Sequence, residues 1–145
     1  MSVDLEQLGL AVKRLQHRHH RALETRLAQI GSTLAQWDAL RAIERQPDSS
    51  THRLAQLTFQ SDQSFGALAN RMLSRGLIER LTGPGRAVRH RLTPDGEEML
   101  RAGYVVVGEL LDQAFAPLGP AERDTLHALL LRLLDGPDLL AADRP

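Results

Sequence analysis

Apolar side chains recur every three or four residues along most of the chain, a period that predicts amphipathic helices. Glycines, prolines and N-cap residues divide this pattern into separate elements, and Thr33 with Gln36 three residues later has the spacing of a capping box. Six helices are therefore expected. Four run over about residues 5–30, 61–75, 94–116 and 120–135. A second helix lies between the Thr33 cap and the stop at Gln46-Pro47, and a short third one follows Ser49-Ser50-Thr51 with Leu54 and Leu57 facing inward.

Between the fourth and fifth helices the apolar period shortens from helical spacing to alternation. Two strands are expected there, over Leu77–Thr82 and Val88–Leu92, joined by a glycine-rich turn. In the second strand Arg89 and Arg91 alternate with positions that face the interior. A short helix, a turn, an outward-facing helix and a hairpin in this order are typical of a winged helix-turn-helix. The predicted fold is mainly α, in the order α-α-α-α-β-β-α-α.

The fourth helix is the expected recognition helix, because its two faces differ in character. Apolar side chains from Phe65 to Leu73 form the inner face. Glutamine and asparagine can pair bidentately with adenine, and alanine can contact a thymine methyl group. The alternative is an ordinary solvated face, and the neighbouring Asp62 is either a first-turn acid or an acceptor from cytosine. The outer face consists of small and polar residues, namely Gln63, Gly66, Ala67, Asn70 and Ser74.

The charges are distributed unevenly, although the formal net charge is zero. Residues 50–94 contain seven arginines against two acids, whereas residues 102–145 contain seven acids against three arginines. The planar donor fork of arginine suits phosphate oxygens, so an arginine-rich middle segment is the electrostatic pattern of a nucleic-acid-binding surface.

Several residues of this segment are candidates for DNA contacts. Arg71 and Arg75 flank the outer face and are expected to hold phosphates rather than to read bases. Arg86 at the hairpin tip is interpreted as a minor-groove contact, with a solvated turn as the alternative. Ser50 and Thr51 are explained equally well as N-caps or as phosphate contacts. The full set of expected contacts is Ser50, Thr51, Ser61, Gln63, Ser64, Gly66, Ala67, Asn70, Arg71, Arg75, Arg86 and Arg89.

Four segments together resemble the MarR family of bacterial regulators. They are Gln36–Leu40 (QWDAL), Leu54-Ala55, Arg71–Arg80 (RMLSRGLIER) and Arg86–Gly96 (RAVRHRLTPDG), and the likeness extends over about residues 5–134. The resemblance implies a homodimer that binds palindromic double-stranded DNA and is often released by small phenolic or other anionic ligands. It further implies a single domain over 1–145, with a winged helix DNA-binding lobe at 33–93 and a helical dimerisation lobe at 5–30 and 94–135.

Two features depart from the family pattern. The family's wing usually carries Asp-x-Arg, in which the aspartate orients the arginine, whereas here Pro84 stands at the aspartate position before Arg86. A Pro-Gly turn can shape this shortened wing instead. The chain contains no cysteine, which excludes the peroxide-sensing branch of the family.

The first two helices hold a candidate effector site near His20, Trp37 and Arg41. A basic, histidine-rich helix attracts anions, and an indole offers a stacking surface. The alternative reading places Trp37 in the core and leaves the histidines solvated. His17 and His20 also have the i, i+3 spacing of zinc ligands, but further ligands at a recognisable spacing are missing, so no metal site is predicted.

Other functional classes fit the sequence less well. No apolar run reaches the roughly 18 residues of a membrane span, and the N-terminus lacks a signal-peptide layout, which together favour the cytoplasm. No nucleophile–base or phosphate-loop pattern is visible, so neither an enzyme nor a cofactor is expected. The sequence predicts a sequence-specific DNA-binding regulator, a repressor. The alternative is a winged-helix module for protein–protein interaction, because the recognition face carries little charge.

Overall fold

The computed structural model describes residues 2–85 and 87–140. Within them the order of elements predicted from the sequence is confirmed, and the fold is a mainly α winged helix with a two-stranded antiparallel hairpin. The elements are α1 (Leu5–Ala28), α2 (Leu34–Arg45), α3 (Thr51–Leu57), α4 (Asp62–Ser74), β1 (Ile78–Leu81), β2 (Arg89–Leu92), α5 (Pro94–Phe115) and α6 (Pro120–Leu134).

Local hydrogen bonds explain where several helices begin. The side chain of Thr33 accepts from the backbone N–H of Gln36 and caps α2, as the sequence predicts. The reciprocal half of the expected capping box is absent among the described hydrogen bonds, because the Gln36 side chain bonds elsewhere, to Arg75. Gly31, at a φ of 80°, turns the chain between α1 and α2, a conformation that favours glycine.

The structure divides into two compact units, one up to Leu110 and one from Leu111 onward. In the first unit the inner face of α4 packs into a core with α2 and α3. The largest fully buried side chains are Phe65, Leu27, Leu40, Ile43, Leu54, Leu68, Met72 and Leu100. In the second unit α6 has no buried residue among those described, and the Arg123 side chain donates to the carbonyl oxygen of Phe115 at 3.2 Å.

Trp37 belongs to the core of the first unit. Its ring is 3% exposed, its Nε1–H donates to the carbonyl oxygen of Leu100 at 3.2 Å, and the Tyr104 ring stands edge-on to it at 5.2 Å between centroids. Gly103 makes room for the indole, because a Cβ built there would lie 2.1 Å from Trp37 Cδ1. Of the two uses that the sequence leaves open for Trp37, the structure supports the core.

Apolar side chains of α1 remain exposed in the single chain. Leu8, Leu10, Val12 and Leu15 are each about half exposed, and Leu27 is the one buried residue of this helix. Leu8, Val12 and Leu15 lie at i, i+4 and i+7 and form an apolar stripe on one face of the helix, which is typical of a surface that another helix covers. Within the described part of the chain, no helix is both long and apolar enough to cross a membrane.

Candidate nucleic-acid interface

The turn between α3 and α4 presents the outer face of α4 to solvent. The backbone N–H of Gln60 donates to the carbonyl oxygen of Ala55 at 2.9 Å and closes α3, with Phe59 between them at a φ of 56°. Phe65 and Met72 anchor the inner side of α4 without exposure. The predicted base-reading side chains are exposed on the opposite side, with Gly66 half-buried between them: Gln63, Ser64, Ala67 and Asn70. Arg71, the predicted phosphate contact, is exposed beside them.

The hydroxyl groups at the two helix starts act as N-caps. Ser50 accepts from the backbone N–H of Arg53 at 3.1 Å, and Ser61 accepts from that of Ser64 at 3.0 Å. The Ser61 and Ser64 hydroxyls also lie 3.0 Å apart, within hydrogen-bond distance. These caps orient the first turns of α3 and α4. The expected contacts of Ser50, Thr51, Ser61 and Ser64 with DNA stay predictions.

A hydrogen bond between side chains joins the starts of the two helices. The Nδ1 atom of His52, in the first turn of α3, lies 2.8 Å from a carboxylate oxygen of Asp62, the first residue of α4. The sequence interpretation of Asp62 as a first-turn acid is compatible with this pair but did not include it. The partner is ten residues away and comes close only through the helix-turn-helix geometry.

Arg75 has a role within the fold that the sequence did not predict. Its Nη1 donates to Gln36 Oε1 at 2.6 Å, and its Nη2 donates to the carbonyl oxygen of Gly31 at 2.8 Å. The guanidinium therefore ties the end of α4 to the turn that precedes α2. Because both terminal nitrogens already donate hydrogen bonds within the protein, the guanidinium has fewer N–H groups available for a phosphate.

The arginines of the hairpin differ in their partners. Arg89 donates to Asp48 at 3.0 Å, and Arg91 pairs with Glu79 across the hairpin. These acids offset the two positive charges, so the predicted phosphate contact of Arg89 competes with an internal ion pair. Arg86, the predicted minor-groove residue, lies outside the described residues.

Four exposed arginines of this region form no ion pair with an acid of the described residues, namely Arg75, which bonds to Gln36 and Gly31, and Arg53, Arg71 and Arg80. Arg71 lies on α4 beside the outer face, where the sequence analysis predicts a phosphate contact. Arg80 was not among the predicted contacts, yet its Nη2 donates to Asn70 Oδ1 at 3.3 Å. The sequence feature that could have identified Arg80 is its position in the first strand after the recognition helix.

His90 lies under the hairpin and is 3% exposed. Neither ring nitrogen has a hydrogen-bond partner in the described part of the chain. Burial lowers the pKa of His90 below its usual value, and the nearby charge of Arg80 lowers this pKa further. The imidazole is therefore neutral near pH 7 and serves as a packing residue of the wing.

The three predicted effector contacts lie around an acid that the sequence analysis left out. Arg41 lies over the Trp37 ring at 4.8 Å and donates to Asp38 at 3.3 Å. Burial raises the pKa of Asp38, while the charges of Arg41 and His20 act in the opposite direction. His20 also lies 4.0 Å from Glu24. The structure thus brings His20, Trp37 and Arg41 into one neighbourhood, but the indole is enclosed and the carboxylate of Asp38 lies beside these basic side chains.

The described residues contain no group of three or more histidines, aspartates or glutamates arranged to hold a metal ion. His17 lines a groove along α1 together with basic side chains rather than with acids.

Comparison with known proteins identifies close structural relatives. The MarR family profile matches residues 30–87. A probable transcriptional regulator from Pseudomonas aeruginosa is 31% identical, with a TM-score of 0.77 over 90% of this chain and 99% of that one. A variant of MarR from E. coli, solved with operator DNA, is 24% identical, with a TM-score of 0.80 over 88% of this chain and 94% of that one.

A MarR-family protein from Mycobacterium tuberculosis, solved with salicylic acid, is 21% identical, with a TM-score of 0.72 over 87% of this chain and 95% of that one. No curated protein sequence matches the chain.

Proposed function

The chain belongs to the MarR family of transcriptional regulators, and on that basis we propose that it binds double-stranded DNA sequence-specifically as a homodimer and represses transcription. The observation that carries this proposal is the exposed outer face of α4, with Asn70 at its centre and, beside it, Arg71, which has no acidic partner among the described residues. An exposed polar helix face of this width fits the major groove, where base edges present distinct donor and acceptor patterns. We propose the cytoplasm as its location, because that fits a protein that acts on DNA.

The expected contacts divide into two groups by chemistry. Gln63, Ala67 and Asn70 face outward and are proposed to read bases, whereas Arg53 and Arg71 are proposed to hold phosphates. Arg53 is added to the set that the sequence predicted, because it is exposed in the first turns of α3 and has no acidic partner among the described residues.

The dimer is proposed to form through the helices outside the winged helix lobe. The half-exposed leucines of α1 and the exposed leucines of α6 give each of these helices an apolar surface that a second copy can cover. The proposed lobes are those expected from the sequence, 33–93 for DNA and 5–30 with 94–135 for dimerisation. A two-fold dimer then presents its recognition helices to half-sites about 10 bp apart, centre to centre.

The test is a salt titration of binding to duplexes selected from random sequence, with two alanine variants. Arg71→Ala is expected to weaken binding to all duplexes alike and to reduce the salt slope by about 0.9 for each lost phosphate contact. Arg101→Ala is the matched control, because Arg101 is an exposed arginine of α5 outside the proposed DNA-binding lobe. Equal salt slopes for the wild-type chain, Arg71→Ala and Arg101→Ala would contradict the assigned interface.

A protein-interaction module is the second candidate function. Asp62 favours it, because its carboxylate lies in the first turn of α4, where it would repel a phosphate. Binding to a protein through this weakly charged face would change little with salt, whereas DNA binding falls steeply as salt increases. The titration therefore separates the two functions.

We further propose that a small anionic aromatic effector binds near His20, Trp37 and Arg41 and releases DNA. Support comes from the clustering of these residues and from the salicylic acid complex of the mycobacterial relative. Such a ligand acts only if it prefers the dimer shape that does not fit DNA, and a tenfold shift needs about 1.4 kcal/mol of preference.

The effector test is a titration with salicylate that follows Trp37 emission together with DNA release. Asp38→Asn is a useful variant, because it removes the carboxylate that opposes an anion there and is expected to tighten salicylate binding. The proposal is wrong if neither emission nor DNA binding changes up to millimolar ligand in both proteins.

A further inference from the structure

The hydrogen bond between the recognition helix and the hairpin bears on which base the protein reads. Asn70 is exposed on the outer face of α4, and Arg80 is exposed on β1. The Nη2 atom of Arg80 lies 3.3 Å from Asn70 Oδ1. We propose that Arg80 positions the Asn70 side chain and that the two residues together select guanine at one position of each half-site. This inference rests on the proposed DNA-binding function.

The orientation of the Asn70 amide follows from the chemistry of its neighbour. A guanidinium carries only donors, so the atom that Asn70 turns toward Arg80 must be the oxygen. The amide nitrogen, with its two N–H groups, then points away from Arg80. One interaction thereby fixes which half of the amide faces the hairpin and which half is presented to a ligand.

The charge environment leaves Arg80 available for this role. The two arginines of β2 are held by acids, Arg89 by Asp48 and Arg91 by Glu79. Arg80 has no such acidic partner in the part of the chain that the structure describes. It pairs with His90 in the hairpin register, so their side chains share one face. The buried His90 ring is neutral near pH 7, with a proton on one of its two nitrogens, and therefore does not repel the guanidinium as a charged imidazolium would.

Together Asn70 and Arg80 present a donor-rich edge. Guanine offers two acceptors, N7 and O6, to the major groove, whereas adenine pairs its N7 acceptor with an amino donor. An adenine amino group that approached Asn70 Oδ1 would come beside the positive charge of Arg80, which disfavours the bidentate adenine contact expected from the sequence. The preferred base at this position is therefore guanine.

The test compares base preferences of the full-length chain and its variants on duplexes selected from a random-sequence library. The wild-type chain is expected to prefer guanine over adenine at one position of each half-site by about 5- to 150-fold, the range that one good bidentate contact supplies. Asn70→Ala is expected to lose the preference at that position. Arg80→Met frees the amide and is expected to bring adenine to within a few-fold of guanine there. Asn70→Ala with Arg80→Met should show the same profile at that position as Asn70→Ala alone.

Two further variants control for charge and folding. Arg91→Met removes a neighbouring hairpin arginine that pairs with Glu79, and it should leave the base preference unchanged. Arg80→Gln keeps a donor for Asn70 without the charge and is expected to have an intermediate preference. Because Arg80 is exposed, the variants should keep the wild-type circular dichroism spectrum.

The possible results distinguish a failure of the Asn70–Arg80 inference from a failure of the proposed DNA-binding function. The inference is overturned if Arg80→Met keeps the guanine preference and only weakens binding to all duplexes, since Arg80 would then be a phosphate contact. A wild-type preference for adenine at the position that Asn70→Ala affects also overturns it. If the wild-type chain shows no base preference at all, the proposed function fails as well.

Discussion

Replacing Gly103 by alanine tests the packing that holds α5 against α2. The new Cβ would lie 2.1 Å from both Cδ1 and Nε1 of Trp37 and 3.1 Å from its Cε2. Carbon atoms in contact prefer about 3.5–4.0 Å, so the indole must move by more than about 1 Å. That movement also breaks the hydrogen bond from Trp37 to the Leu100 carbonyl oxygen.

The expected magnitude combines three contributions. Overpacking costs about 1–3 kcal/mol, and the lost hydrogen bond adds about 1 kcal/mol. The better helix propensity of alanine returns at most about 1 kcal/mol. Gly103→Ala should therefore lower the free energy of unfolding by about 1–3 kcal/mol.

Gly108→Ala is the matched control on the same helix, since nothing lies within 4 Å of a Cβ built there. It should leave stability unchanged or raise it by up to about 1 kcal/mol. The assay is urea unfolding at one fixed protein concentration, followed by circular dichroism and by the emission of Trp37, the single tryptophan of the chain. If Gly103→Ala were as stable as Gly108→Ala, with unchanged Trp37 emission, the packing described here would be wrong.

Three further predictions concern the winged helix lobe. Phe59 is 99% exposed and has a φ of 56°, a conformation in which a Cβ is disfavoured. Phe59→Gly should therefore raise the free energy of unfolding by about 0.5–1 kcal/mol in urea titrations, whereas Phe59→Ala, which keeps the Cβ, should not. The folded state lowers the pKa of His90, so the stability that the neutral His90 contributes is present above about pH 6.5 and is lost as the pH falls through the lower folded-state pKa. His90→Leu should therefore flatten the dependence of the unfolding free energy on pH between 7 and 5. An unchanged dependence would show that other groups cause it. Arg75→Ala should lower the free energy of unfolding by about 1–3 kcal/mol in the same titrations, because it removes two hydrogen bonds of the fold, and it should leave the salt slope of DNA binding unchanged. A reduced salt slope would instead support the phosphate contact that the sequence predicts for Arg75.

Local chemistry made most of the fold predictable from the sequence. The caps at Thr33, Ser50 and Ser61 act within three residues of their own position, and the structure has a hydrogen bond for each of them. Helical periodicity likewise identified the buried side of α4. These features depend on neighbours along the chain, which a sequence displays directly.

The contacts that the sequence did not reveal join distant positions. Arg75 bonds Gln36 across 39 residues and Gly31 across 44. Arg80 reaches Asn70 only because β1 turns back beside α4. A flexible, charged side chain can satisfy a phosphate or a protein carbonyl equally well, so its partner follows from tertiary geometry alone. The same reason explains why Asp38 was missed among the effector residues.

The most direct test of the central claim is a competition measurement between specific and scrambled DNA. Full-length protein is bound to a duplex selected from random sequence, and a scrambled duplex of the same composition competes at physiological salt. We expect the selected duplex to carry an inverted repeat and to bind at least about 10³-fold more tightly than the scrambled one, as a sequence-specific regulator requires. Equal affinities for the two duplexes, or no repeat among the selected sequences, would contradict the assignment of α4 as a recognition helix.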